Sequence, residues 1–162
     1  MMKNDEITFS PSLIYWFIRN IPVIILFIAF IISAKILSHF EYVSISLCVL
    51  ALICLLMIFR NFLRILTTKW VVTSEQIKIY EGIISKSINY IELYRVYDYE
   101  VKQNIVQAAV GLKNVYIHSG DKSTPELKMY GIISKDIDII SLIRDRVEKQ
   151  KRIKGIYEFT NR

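Results

Sequence analysis

A chain of 162 residues suits one soluble domain, or a smaller domain joined to membrane segments, and 53% of these residues are apolar. That share, with a mean hydropathy of +0.36, is too high for an ordinary soluble domain, so the apolar excess needs a place of its own. The net charge of +6 is carried beyond residue 59, where 18 Lys and Arg face 12 Asp and Glu, and a basic second part suits an anionic surface.

Residues 1–20 read as an N-terminal interfacial segment. Tyr15 and Trp16, within the stretch Leu13 to Ile18 ahead of Arg19, suit the headgroup belt of a bilayer. Residues 21–66 read as a two-helix transmembrane hairpin with spans about 21–37 and 42–59. The first span is uninterrupted from Ile21 to Ala34 and extends through Ile36 and Leu37 if Lys35 snorkels to the interface. Pro22 is expected in its first turn, where the missing N–H costs nothing. A cleaved signal peptide is the rival reading. Asp5 and Glu6 near the start, and Ile32 and Ala34 in place of a small-x-small cleavage pattern, argue against it.

The second span, Tyr42 to Phe59, carries no charge and ends at Arg60, Asn61 and Arg64 in the manner of an interfacial anchor. Cys48 and Cys54 fall on nearly opposite faces of it and read as apolar filler. The link between the spans is too short for a domain. Lys3 and Arg19 on one flank, with Arg60, Arg64 and Lys69 on the other, outweigh Lys35 and place both termini in the cytoplasm by the positive-inside rule.

From about residue 67 the apolar period falls to two. Strands are expected over Lys69 to Thr73, Gln76 to Tyr80 and Ile84 to Ile91, with turns at Ser74-Glu75 and Glu81-Gly82. A fourth strand begins near Val96, with Tyr97, Tyr99 and Val101 on an apolar face and Asp98, Glu100 and Lys102 on a solvated one. Asn104 to Val110 reads as a short helix capped by Asn104 and stopped at Gly111. Strands follow over Leu112 to Ser119 and Glu126 to Ile132. A last amphipathic helix is expected to be capped by Ser134, with Asp136 and Asp138 at its positive end and Ile139, Leu142, Ile143 and Val147 facing inward.

The ordered series Trp70-Val-Val-Thr73, Glu75, Ile77, Gly82-Ile-Ile-Ser85, Ile91, Leu93, Val96, Asp98, Gly111-Leu112, Val115-Tyr-Ile117, Ser119-Gly-Asp121 and Gly131-Ile132 resembles the bacterial pleckstrin-homology membrane proteins of the second type. The resemblance covers roughly Trp70 to Arg146. Glu92 stands where members usually carry a proline, and Ala108 and Ala109 where an arginine is common. The resemblance implies a membrane-anchored α+β protein. Its two transmembrane helices precede a PH-like small β-barrel or sandwich of six or seven antiparallel strands, closed by a C-terminal amphipathic helix. The PH-like domain is assigned residues 67–150, and residues 151–162 form a basic C-terminal tail. Lipid-binding members of the wider fold carry basic residues at the first strand turn. That turn here is Thr73-Ser-Glu-Gln76, so inositol-lipid specificity is not carried over.

The sequence offers little for catalysis. The histidines are His39, in the outer turn, and His118, on the polar face of a strand. Asp98 and Glu100 read as part of a solvated strand face that Lys102 continues. No cofactor or metal is expected, no nucleic acid partner either, and sheet propensity accounts for most of the domain's tyrosines. The expected role is a non-catalytic integral membrane protein whose cytoplasmic domain binds a protein partner or forms a homo-oligomer. The alternative is an anionic-lipid module, with Arg60, Arg64, Lys149, Lys151, Arg152 and Lys154 contacting headgroups. A membrane-bound enzyme is the third reading.

Overall fold

The computed structural model describes residues 6–133 and 138–156. The chain opens with a short strand, β1 (Ile7–Phe9), which the reading of residues 1–20 as an interfacial segment does not anticipate. Three residues are too few to show a period, and the strand exists because it pairs antiparallel with the first strand after the helices, Phe9 opposite Trp70.

Helix α1 (Leu13–Ile36) starts earlier than the expected span because Ser12 caps it, its Oγ accepting from Ile14 N at 3.2 Å. Pro22 therefore lies inside the helix and not in its first turn. The carbonyl one turn before it loses its partner. Helix α2 (Glu41–Thr67) likewise runs past Phe59, because Phe62, Leu63, Ile65 and Leu66 keep the helical period going. It closes where Thr68 Oγ1 donates back to Arg64 O at 2.8 Å. The two helices pair through Ala34, Ala51 and Cys54, which are buried, and through Ser44 Oγ donating to Ala34 O at 3.1 Å. Cys48 is exposed, as the spacing predicts.

The domain holds two antiparallel sheets. One has the order β1-β2-β3-β4, with β2 Lys69–Val72, β3 Gln76–Glu81 and β4 Ser87–Glu92. After one 3-10 turn, Leu93–Arg95, the second sheet runs β5-β6-β7, with β5 Val96–Lys102, β6 Leu112–Ser119 and β7 Glu126–Ile133. Helix α3 (Ile105–Ala109) links β5 to β6, and its Asn104 cap accepts from Gln107 N at 2.7 Å as expected. The core lies between the sheets: Trp70, Val72, Ile77, Ile79 and Ile91 meet Val115, Ile117, Leu127 and Met129. Alternation puts these side chains on one face of each strand.

Helix α4 (Ile139–Ile153) plugs one end of this core with Ile139, Ile143 and Val147. Its cap is Asp138, whose Oδ1 accepts from Ile140 N at 3.2 Å; the expected cap Ser134 and neighbouring Asp136 lie outside the described residues. Arg146 Nη1 donates to Val72 O at 2.7 Å and Gln150 Nε2 to Ser74 O at 2.9 Å, so α4 sits over the β2–β3 turn.

Two expectations about strands are corrected. The third strand begins at Ser87 and not at Ile84, because Gly82 takes φ +119° and sends the chain through a tight turn with Ile84 fully exposed. Of the three β5 side chains expected on the apolar face, only Tyr99 packs against the core, to which Val96 at the strand's start also belongs. A register shift between Val96 and Asp98 turns Tyr97 outward, and Val101 lies beyond the core's edge, half exposed.

Candidate membrane-surface site

The domain is mounted on the helix pair through specific contacts at the start of α1. Ser12 N donates to Gly131 O at 2.9 Å, and the Tyr15 ring lies parallel to that of Tyr130, centroids 6.1 Å apart. Gly131 is at φ +62°, and a Cβ there would enter the Tyr15 ring, so glycine permits the approach. One turn further, Trp16 meets Phe62 of α2 edge to face at 5.4 Å. Asn20, almost wholly buried, donates from Nδ2 to Trp16 O at 2.7 Å and accepts from Asn61 Nδ2 at 3.0 Å.

Above this joint lies a cleft of about 800 Å³. It runs along the open corner between β7, an edge of one sheet, and the β3–β4 hairpin, at an edge of the other. Its floor reaches the core at Trp70, Ile79 and Leu127, and its helix end is closed by Tyr15, Trp16, Arg19, Asn20, Asn61 and Arg64. Ile83 and Ile84 of the β3–β4 turn line one wall, and Glu126, Lys128 and Tyr130 of β7 the other.

The charges in the cleft are unevenly satisfied. Lys128 Nζ lies 2.8 Å from Glu126 Oε2, and this contact lowers the carboxylate's pKa and raises that of the amine. Arg19 Nη1 donates only to Tyr15 OH, at 3.2 Å, and neither Arg19 nor Arg64 has a carboxylate within ion-pair distance among the described residues. The indole N–H groups of Trp16 and Trp70 are buried without an acceptor among the described residues. Burial, and to a smaller extent the Tyr116 hydroxyl, raise the Tyr130 pKa.

The six residues proposed from sequence as membrane contacts do not converge. Arg60 and Arg64 stand exposed on α2, Arg64 at the cleft. Lys149, Lys151, Arg152 and Lys154 belong to the far end of α4 and its cap, beside the β2–β3 turn and the 3-10 turn. Ser74 is five residues along the chain from Lys69, roughly 15 Å of extended strand from the end of α2. The α4 cluster is also partly engaged: Arg152 and Arg144 each lie 4.0 Å from Glu148, and Lys154 Nζ stands 5.8 Å from the Tyr94 ring centroid. Lys151 and Arg152 flank a shallower groove of about 360 Å³ against β5.

Sequence reasoning named Arg64 as a membrane contact and read Tyr15, Trp16, Arg19 and Asn61 as interfacial, but did not bring them together or name the rest of the cleft. Asn20 and Asn61 each border an apolar run, and that position was the available signal. Trp70 and Lys128 carry no sequence signal beyond strand alternation. Elsewhere Glu100 is tied to Lys102 at 3.0 Å, His118 stacks on Tyr97 at 6.3 Å, and no metal-holding group of three His, Cys, Asp or Glu occurs among the described residues.

No curated protein and no solved structure matches the chain. A family model described as bacterial PH domain matches residues 17–134, which takes in α1 beyond its first turn, α2 and strands β2 to β7, whereas the resemblance read from sequence covered roughly Trp70 to Arg146 and matched the tether in layout only. With two apolar helices, a four-stranded and a three-stranded antiparallel sheet and a closing helix, the chain belongs to the bacterial PH-domain family.

Proposed function

We propose that the chain is a multi-pass protein of the cytoplasmic membrane with both termini in the cytoplasm. Its PH-like domain works without catalysis, as a module for binding a protein or a second copy of itself at the membrane surface. The observation that carries this reading is the apolar cover of the helices. Both are long and apolar enough to cross a bilayer, and only 11% of each apolar window is buried. A soluble core helix would hide such a surface. Leaving Ile25, Leu26, Ile31, Ile45, Leu52 and Leu56 in water would cost roughly 25 cal/mol per Å².

The pairing of β1 with β2 supports the arrangement of the ends. It brings the segments before α1 and after α2 to one side of the hairpin, and a cleaved first helix would take a strand of the sheet with it. Arg19, Arg60, Arg64 and Lys69 on that side, against Lys35 at the turn, favour the cytoplasm. Labelling with a membrane-impermeant maleimide tests this, in spheroplasts expressing chains with Cys48 and Cys54 replaced by Ala. His39→Cys should react from outside and Lys86→Cys only after permeabilisation; labelling of position 86 in intact spheroplasts would overturn the topology.

Support for the interaction role comes from the firm mounting of the domain and from Val101, Ile105 and Val106, apolar and exposed around α3. A photocrosslinker at Ile105 in native membranes should yield a discrete adduct. Recovery of the free monomer alone would count against the role. The lipid reading through the α4 cluster draws less support, since that cluster sits away from the helix ends, whereas Arg64 lies at the cleft.

A further inference from the structure

We propose that the cleft between the helix pair and the open corner of the barrel binds the phosphate-bearing headgroup of an anionic lipid, held by Arg19 and Arg64. The proposal rests on the membrane reading above and adds a site to it.

The chemistry of the cleft selects the ligand. Arg19 and Arg64 bring two guanidinium groups without a carboxylate partner among the described residues, and Glu126 is occupied by Lys128. Glu81 is the remaining carboxylate in the lining, so the balance is positive. The indole N–H of Trp70, on a residue only 1% exposed, and that of Trp16 are buried donors with no acceptor among the described residues. Neither indole nitrogen keeps accessible surface, so both stand behind the lining, and the donors open to a ligand include the two guanidinium groups, which call for one rich in acceptors. Phosphate oxygens meet that requirement, and arginine forks match them in pairs.

The position of the cleft favours a lipid over a free anion. Arg19 and Asn20 directly precede the uninterrupted apolar run of α1, while Asn61 and Arg64 follow that of α2. The cleft mouth therefore stands at the level where headgroups begin if the helices span the bilayer. Ile83 and Ile84 line the same wall, and Ile84 is 99% exposed. That apolar tip suits the upper acyl region beside a bound headgroup. The volume of about 800 Å³ also lies in the range of small-molecule sites.

The chain supplies its own probe, because its two tryptophans, Trp16 and Trp70, both line the cleft. The full chain in neutral detergent would be titrated with phosphatidylglycerol, phosphatidylcholine and inorganic phosphate while tryptophan emission is followed. A saturable change is expected with phosphatidylglycerol at concentrations where phosphatidylcholine gives none. Arg19→Gln with Arg64→Gln should weaken it about tenfold or more, the loss of charge-assisted hydrogen bonds. Arg19→Lys with Arg64→Lys should recover much of the affinity, which a folding defect would not allow. An equal response to phosphatidylcholine, or binding unmoved by the glutamine pair, overturns the proposal. So does binding that falls only when Lys149, Lys151, Arg152 and Lys154 become alanine. Inorganic phosphate matching the lipid would overturn the lipid source and leave a phosphate site. Extraction of the chain from membranes by alkaline carbonate would sink the membrane reading separately, whatever the titration gives.

Discussion

The amide of Asn61 donates a 3.0 Å hydrogen bond to the side-chain oxygen of Asn20, joining the two helices where their apolar runs begin and end. Asn20 is 1% exposed, so its oxygen has no water to fall back on. Asn61→Leu should therefore cost about 1–2 kcal/mol, the upper part of what interhelical hydrogen bonds contribute in membranes, since it also strands an acceptor. Replacing both residues by leucine removes donor and acceptor together and should recover part of the loss. Unfolding in mixed micelles of the two single variants and the double variant measures the coupling; strict additivity would mean the bond contributes nothing.

Gly131 joins the domain to α1 and Gly155 does not, although both take left-handed φ, +62° and +68°. Alanine at Gly155 meets open space and should cost only the left-handed penalty, about 1–2 kcal/mol. Alanine at Gly131 adds a collision with the Tyr15 ring and should lower the melting temperature further. Tyr15→Ala in the Gly131→Ala background removes the ring but leaves the Tyr15 Cβ, which the new methyl also meets, so the double variant should recover only part of the loss. If Gly131→Ala melts like Gly155→Ala, the ring contact is not tight in solution.

Much of the strand order was legible because alternation is a local property. Leu112–Ser119 came out with its predicted bounds, and Asn104 caps α3 as its position suggested. What escaped depends on distant partners. The pentapeptide Gly-Ile-Ile-Ser-Lys occurs twice, from Gly82 and from Gly131. The first copy makes the β3–β4 turn, while Gly131, Ile132 and Ile133 of the second end strand β7. Local sequence cannot separate them; the neighbours Ser87 and Asn114, with α1 behind Gly131, do. Strand β1 is set by its pairing with Trp70 in the same way, and so is the cleft. Its residues come from positions 11 to 130, and its two orphaned indoles become visible only once the sheets and helices are packed.

If the helices span a bilayer as proposed, Ile84 offers a reading of where its surface lies. Its side chain is 99% exposed at the tip of the Gly82 turn, so replacing it should leave the domain's stability within about 0.5 kcal/mol. With Cys48 and Cys54 replaced by Ala, Ile84→Cys can carry an environment-sensitive fluorophore. In liposomes its emission should shift to the blue relative to the same fluorophore at Lys122, which is exposed on the β6–β7 turn. Equal emission at the two positions would place the Gly82 turn in water, away from the headgroups.

Tyr130 gives the mounting of the domain a dependence on alkaline pH. Its ring stacks on Tyr15, and burial, followed by the nearby Tyr116, raises its pKa above the ordinary 10.0. The sign follows from proton binding: as pH climbs past the unfolded value, the unfolded chain gives up a proton that the folded chain retains. The contribution of Tyr130 is thus fully present below about pH 10 and is lost as pH rises through the folded pKa. Tyr130→Phe should melt close to the natural chain near pH 8, yet fall less steeply as pH rises above about 10. Ultraviolet titration of tyrosinate in the folded chain should also lose its most alkaline component in that variant. Parallel melting curves across the range would mean that Tyr130 ionises as freely in the folded chain as in the unfolded one.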